Sequence, residues 1–126
     1  MKLSAFSFEG RINRARFWKH VLAMGLMFFV FELCVLVLGG HGLLSPRHPD
    51  RIKWILLPTL VVLFMITVWV LAAAGAKRFR DRDKSGWWVM ISLVPIIGGP
   101  WYWIECGCLP GTIGSNKYGP DPLARR

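Results

Sequence analysis

Cysteines are few in this sequence, and their spacing excludes two common roles. Cys34, Cys106 and Cys108 are an odd number without paired spacing, which argues against a disulfide framework. No second pair of Cys or His completes a zinc site, and His41 and His48 lie in a connector without a compact set of other ligands. We therefore expect the cysteines to be small apolar packing residues, and we expect no metal or cofactor.

Catalytic groups are also lacking. The sequence contains no cofactor-binding loop, no cluster of metal ligands and no activated nucleophile. Two carboxylates in apolar surroundings, Glu32 and Glu105, could serve a proton path, but nothing beside them would complete the site of an enzyme. We therefore predict that the protein is not an enzyme and that these two acids make polar contacts within a membrane.

Charge is absent from long runs of the chain. Ile55–Ala76 carries no charged residue, and Trp87–Leu109 carries only Glu105. Hydrophobic residues make up 54% of the 126 residues, yet the net charge is +9. These figures would conflict in a soluble protein, but they agree in a membrane protein with apolar blocks and basic connectors. Because the cations flank hydrophobic runs instead of lining one face, we expect no nucleic-acid partner.

The predicted fold is an all-α integral membrane protein with one domain, residues 1–126. Its hydrophobic segments are residues 21–39, 55–76 and 87–109. Pro95 and Gly98-Gly99-Pro100 interrupt the third segment, which either crosses as a kinked helix or returns as a helical hairpin. Length favours crossing, so we predict three membrane spans, although the cations of the irregular tail, residues 110–126, favour the hairpin. No signal peptide is evident, so we expect the chain to be inserted whole.

Basic residues concentrate at two places. Residues 1–20 form a basic, aromatic lead-in suited to the headgroup layer, and Asn13 is the predicted N-cap of a helix that begins at Arg14. A predicted turn at Lys77–Lys84 holds five cations and two anions. The prolines of the connector 41–54 disfavour a helix there. Because cations mark the cytoplasmic side, the lead-in and the turn should both be cytoplasmic.

Three blocks of the sequence carry a resemblance. They read FEGRINRARFW at residues 8–18, RFRDRDKSGWW at residues 78–88 and PGTIGSNKYGPDP at residues 110–122. The chain resembles a family of small bacterial inner-membrane proteins catalogued as domain of unknown function 805, over nearly its whole length. The family usually has a His where Arg80 stands here, so a proton-transfer role for that His does not carry over. The resemblance implies a multi-pass protein of the bacterial inner membrane and no established activity.

The lead-in and the charged turn together predict a site for an anionic headgroup. If their side chains pool on one membrane face, arginine forks match phosphate oxygens bidentately, and Asp81 would orient the arginines. The predicted residues are Arg11, Arg14, Arg16, Arg78, Arg80, Asp81, Arg82, Lys84 and Trp87. The alternative is a topological determinant that attracts bulk anionic lipid without specificity.

Two roles stay open at this stage. The preferred hypothesis is an accessory or interaction subunit of a larger membrane-protein complex or homo-oligomer, favoured by the small residues of Ala72–Ala76 and by Glu32. The alternative is a binder or carrier of anionic phospholipid or polyprenyl-phosphate headgroups. In both cases the lipid bilayer is a partner.

Overall fold

The computed structural model describes residues 6–40 and 49–124, and in this part of the chain it contains helices and no β-strand. Two long helices come first: α1 is Arg14–Gly40 and α2 is Pro49–Asp81. The all-α class is therefore confirmed. The histidines of the predicted connector, His41 and His48, lie outside the described residues.

The predicted N-cap of α1 is confirmed. The Asn13 side-chain Oδ1 accepts a hydrogen bond from the Arg16 backbone N–H at 2.9 Å, and the Asn13 carbonyl accepts from the Phe17 N–H at 3.1 Å. An N-cap side chain satisfies one of the first N–H groups of a helix, which have no partner within the helix. The start of α1 is thus set by local sequence.

Helix α2 is longer at both ends than its charge-free run. The prediction of a connector up to Trp54 was wrong from residue 49 onwards, because a proline as the first helical residue lacks only an N–H that would have no partner anyway. The predicted charged turn was likewise wrong for residues 77–81, which are helical. The helix ends in a Schellman motif: Lys84 N–H donates to Phe79 O at 2.9 Å, and Asp83, with φ 58°, donates to Arg80 O at 3.0 Å.

Two stretches are long and apolar enough to cross a membrane: Arg14–Val37 in α1 and Trp54–Asp81 in α2. In their most apolar windows, 0% and 6% of the residues are buried inside the protein. The core helix of a water-soluble protein would bury such a surface against other elements. Exposure of nearly all of it matches helices whose solvent is lipid.

The third hydrophobic stretch is not one helix. It consists of a 3₁₀ helix Gly86–Leu93, helix α3 Gly98–Trp103, and a π-helical turn Ile104–Cys108. The longest piece rises only about 16 Å at 2.0 Å per residue, against about 30 Å of hydrocarbon. The predicted third membrane-crossing segment is therefore not confirmed. The interruption contains Pro95, as predicted, but Gly98-Gly99-Pro100 was wrong as a break, because these residues form the first turn of α3, where a proline lacks only an N–H that would have no partner.

The chain divides into two compact units, which are described separately. One unit comprises Leu22–Val68, and its apolar side chains on both helices are mostly exposed. The other comprises Met1–Val21 and Trp69–Arg126, and it contains the core. It contains the start of the chain and is called the first unit below. That core includes the fully buried Phe17 and the buried Phe79 and Tyr102.

Small residues near the end of α2 let α3 approach closely. A Cβ on Gly75 would lie 2.5 Å from the Tyr102 ring, and the Tyr102 hydroxyl donates to Leu71 O at 2.8 Å. The small-residue stripe Ala72–Ala76 does allow close helix packing, as predicted. Its neighbour at Gly75, however, is α3 of the same chain, so this contact no longer argues for an external partner.

Gly98 and Gly99 provide a matched test of how α3 packs on the 3₁₀ helix. A Cβ at Gly98 would lie 1.9 Å from the Ile91 carbonyl oxygen, whereas a Cβ at Gly99 has nothing within 4 Å. We expect Gly98→Ala to lower the free energy of unfolding by about 1–3 kcal/mol or more, because the clash is with backbone. Gly99→Ala should be neutral or stabilising by up to about 1 kcal/mol. Chemical denaturation in detergent micelles measures both, and equal effects would contradict this packing.

Candidate functional site

The centre of the first unit is a buried ion-pair cluster of Arg11, Arg78 and Asp81. Arg11 Nε lies 3.0 Å from Asp81 Oδ1, and Arg78 Nη1 contacts Asp81 Oδ2. The three side chains are 1%, 0% and 5% exposed. Buried charges persist only when they are paired and hydrogen-bonded, so one carboxylate between two guanidinium groups is a highly constrained arrangement.

Arg11 connects the lead-in to the tail. Its Nη1 donates to Gly114 O at 2.8 Å and Gly119 O at 3.0 Å, and its Nη2 donates to Thr112 O at 2.8 Å. With the bond to Asp81, protein acceptors occupy the whole donor set of this guanidinium. Arg11 therefore holds together three segments that lie far apart in the sequence.

Arg78 makes a second set of bonds to backbone. Its Nε donates to Cys106 O at 2.8 Å, its Nη2 to Leu109 O at 2.6 Å, and its Nη1 to Ile12 O at 3.4 Å. These acceptors come from the lead-in and from the π-helical turn and its end. The two arginines thus join the lead-in, the end of α2, the end of the third hydrophobic stretch and the tail.

Two tail residues complete the cluster, and sequence reasoning missed them. The Thr112 N–H and hydroxyl donate to Asp81 O at 2.8 and 2.9 Å. A Cβ on Gly111 would lie 2.0 Å from Asp81 Oδ2, so only glycine fits beside the carboxylate. The sequence did contain a signal, because Gly111 is followed directly by Thr112 in the closing block, residues 110–122. Nothing local indicated that the block would fold onto Asp81.

Glu105 is the centre of a second ion-pair cluster. Its side chain is 5% exposed, Oε1 lies 2.5 Å from Lys84 Nζ, and Oε2 contacts Arg82 Nη1. Burial, and to a lesser degree the Arg82 charge, lowers the pKa of Lys84. Glu105 was predicted as an intramembrane polar contact. The structure places it inside the first unit with two cations of its own chain.

Arg80, which is half-buried, differs from the buried Arg11 and Arg78 because part of its guanidinium has no partner in the described part of the chain. Its Nη1 donates to Phe8 O, and the group lies 5.5 Å from the Tyr118 ring centroid. Its Nε is enclosed and has no hydrogen-bond acceptor in the described part of the chain. A cavity of about 370 Å³ adjoins it, lined otherwise by apolar side chains and Gly86. Trp87, also a predicted site residue, lines this cavity and is 77% exposed.

The predicted headgroup residues therefore fall into separate groups. Arg11 and Arg78 contact protein groups in the interior, and Arg82 and Lys84 pair with Glu105. Arg14 and Arg16 are exposed; the Nη1 of Arg14 donates to Cys108 O at 3.0 Å. Glu32 lies in the other unit, exposed on α1. Within residues 6–40 and 49–124, no three His, Cys, Asp or Glu side chains come together as metal ligands.

Comparison with known proteins identifies relatives over most of the chain. A family model described as protein of unknown function (DUF805) matches residues 5–120. Inner membrane protein YhaH of Escherichia coli (strain K12) is 31% identical, with 91% of this chain and 86% of YhaH covered. Inner membrane protein YhaI of the same strain is 29% identical, with coverage of 91% and 85%. The uncharacterized protein YiiR is 31% identical, with coverage of 92% and 86%. No solved structure matches the chain.

Substitutions at Asp81 and Asp83 test how much the buried cluster contributes to stability. Asp81→Asn should lower the free energy of unfolding by about 3–5 kcal/mol, because two guanidinium groups would remain buried without a counter-charge. Asp83→Asn is the matched control: its ion pair with Lys117 is exposed and 3.8 Å long, so a loss of less than about 1 kcal/mol is expected. Denaturation in detergent micelles compares the two variants. Similar stability of both would contradict the role given to Asp81.

Proposed function

We propose a role from the premise that this chain belongs to the DUF805 family of unknown function, whose members include inner membrane proteins of Escherichia coli. The protein is an accessory subunit of the bacterial inner membrane that associates with another membrane-spanning helix. That helix belongs to a larger complex or to a second copy of this chain. The carboxylate of Glu32 is the observation that carries this proposal.

Glu32 lies within the apolar span Arg14–Val37, and its side chain is exposed. It has no hydrogen bond or ion pair among the described residues. A carboxylate among lipid chains costs about 2.5 kcal/mol or more at mid-span, and such residues normally pair with a donor or face an interface. The two buried acids, Asp81 and Glu105, have cationic partners within the chain. An external donor on a neighbouring helix gives Glu32 the partner that its own chain does not supply.

The proposed topology has two membrane crossings, with both ends of the described chain on the cytoplasmic side. Arg11 in the lead-in bonds to tail carbonyls, so these segments share one side. The basic lead-in and the cations after α2 support the cytoplasmic assignment. Residues 86–108 then form a re-entrant element, and the part after its break is joined to α2 through Tyr102 and to the lead-in through Gly107. This is the hairpin alternative, and it supersedes the preference for a third crossing.

Anionic-lipid binding is a second candidate function. One observation favours it specifically: the partly unpartnered guanidinium of Arg80 beside an apolar cavity. The exposed Arg14 and Arg16 add attraction to an anionic leaflet of about 1 kcal/mol each, without specificity.

Glu32→Leu tests the accessory role. The substitution removes the intramembrane carboxylate and makes α1 easier to insert, so reduced association cannot reflect failed insertion. We expect association to weaken by about 1–2 kcal/mol, or roughly five- to thirtyfold, the value of one interhelical hydrogen bond. Cross-linking in native membranes followed by native mass spectrometry measures the assembled fraction and distinguishes a second copy from a different protein.

Glu32→Gln is the control for that experiment, because it keeps a hydrogen-bonding side chain of the same shape. It should retain most of the association that Glu32→Leu loses. A protein that is monomeric in native membranes, or an assembly that Glu32→Leu leaves intact, would count decisively against the proposal.

Reporter fusions test the topology. A green fluorescent protein fused after Arg126 should be fluorescent, and alkaline phosphatase at the same point should be inactive, because the proposed side is cytoplasmic. Alkaline phosphatase placed within the connector 41–48 should be active and serves as the control for the opposite side. Phosphatase activity after Arg126 would instead require the third hydrophobic stretch to cross.

A further inference from the structure

The cavity beside Arg80 combines one free cationic edge with apolar walls. It has a volume of about 370 Å³ and is lined by Phe8, Ala76, Gly86, Trp87, Val89, Met90 and Arg80. This volume is at the small end of the range of about 300–1,000 Å³ typical of ligand pockets. All of these residues belong to the same compact unit. The site is therefore defined by one unit of the chain alone.

The orientation of Arg80 leaves the Nε of its guanidinium without an acceptor among residues 6–40 and 49–124. The bond from Nη1 to Phe8 O and the contact with Tyr118 fix the group from other directions. The Asn116 side chain donates to Arg80 O at 2.8 Å and holds the backbone beneath it. The Nε–H is enclosed without an acceptor. A buried donor without an acceptor is costly, and an oxyanion would satisfy it with a charge-assisted hydrogen bond.

Gly86 packs against the Nε edge of Arg80 without a side chain. A Cβ at this position would lie 3.1 Å from Arg80 Nε, 3.4 Å from Nη2 and 3.3 Å from the Ala76 Cβ. Any larger residue would press on the two nitrogens that form the bidentate edge of the guanidinium. The glycine therefore keeps any side chain off the Nε–Nη2 edge, which is the edge that pairs bidentately with a carboxylate or phosphate.

The surroundings of the cavity match an amphiphile better than a free anion. Arg80 lies about one helical turn beyond the charge-free run Ile55–Ala76, which is the level where lipid headgroups meet the hydrocarbon. Apart from Arg80 and Gly86, every lining side chain is apolar. These walls offer nothing to the remaining oxygens of a small hydrated anion, but they suit the chain of a lipid.

We propose that this cavity binds an anionic amphiphile, with its oxyanion on the Nε edge of Arg80 and its apolar chain against Phe8, Trp87 and Met90. The inference rests on the second candidate function and gives it a specific site. It assigns recognition to Arg80 alone among the buried arginines, because Arg11 and Arg78 contact protein acceptors. The ligand class is an acyl-chain lipid with a phosphate or carboxylate head.

The experiment uses the full chain in phosphatidylcholine nanodiscs that contain phosphatidylglycerol with a photoactivatable diazirine in its acyl chain. Peptide mapping of the unaltered protein should place the label within residues 86–90 or at Phe8. Gly86→Val should reduce this labelling about tenfold, the loss expected for one charged hydrogen bond. Gly99→Val is the matched control and should leave it unchanged, because that glycine faces open space.

Competition identifies the ligand chemistry. Unlabelled phosphatidylglycerol should displace the label, and displacement by palmitate at similar concentration would identify a fatty acid as a second source of the same chemistry. Displacement by inorganic phosphate at those concentrations would contradict the proposal that the ligand is an amphiphile. If Gly86→Val fails to fold, the proposal is tested by the unaltered protein alone. Label outside residues 86–90 and Phe8, or no displacement by phosphatidylglycerol, would then contradict the Arg80 site.

The remaining outcomes separate the two levels of the proposal. Label spread along α1 and α2 without dependence on Gly86 overturns the Arg80 site, while phosphatidylglycerol retained in native mass spectra would still support lipid binding. Absence of retained anionic lipid overturns the second candidate function together with the site.

Discussion

The carboxylate of Asp81, held between Arg11 and Arg78, is the interaction on which the rest of the first unit depends. One acid pairs with two buried cations, and the remaining donors of those cations bind backbone carbonyls from the lead-in, the π-helical turn and the tail. Such a cluster is stable only when every member is satisfied, because a single missing acceptor leaves a charge buried without compensation. The cluster therefore specifies one arrangement of four segments, in a unit whose apolar core is small.

Two kinds of acidic residue occur in this protein: those that pair with cations of the same chain, and one without such a partner among the described residues. Asp81 and Glu105 are buried and each contacts two cations. Glu32 is exposed within a span and has no partner among the described residues. The guanidinium of Arg80 is the corresponding case among the cations, since its Nε lacks an acceptor there. These two incomplete groups lie in different units, and the partners that we propose for them differ in kind: a helix for Glu32 and a lipid for Arg80.

Much of the fold could be predicted from sequence because its signals are local. Long apolar runs predicted the two spans, Asn13 predicted the start of α1, and Pro95 predicted the break in the third stretch. The candidate site could not be predicted in the same way. Its cations were expected to form one solvated surface, whereas Arg11 and Arg78 turn inwards towards carbonyls as far away as Gly119. A cluster of charge in the sequence does not reveal whether distant backbone acceptors will bury it, and the closing block resembles an ordinary loop.

The bonds from Arg78 to Leu109 and from Arg11 to Thr112, Gly114 and Gly119 also impose an order on biosynthesis. The ribosome makes both spans before it makes these acceptors, and at about 5–20 residues per second the interval between Asp81 and Gly119 lasts roughly 2–8 s. During that time the arginines stay hydrated at the membrane surface, where translocation machinery and anionic headgroups can reach them. On the proposed topology, cations that the finished protein later hides thus help to set the orientation of the nascent chain.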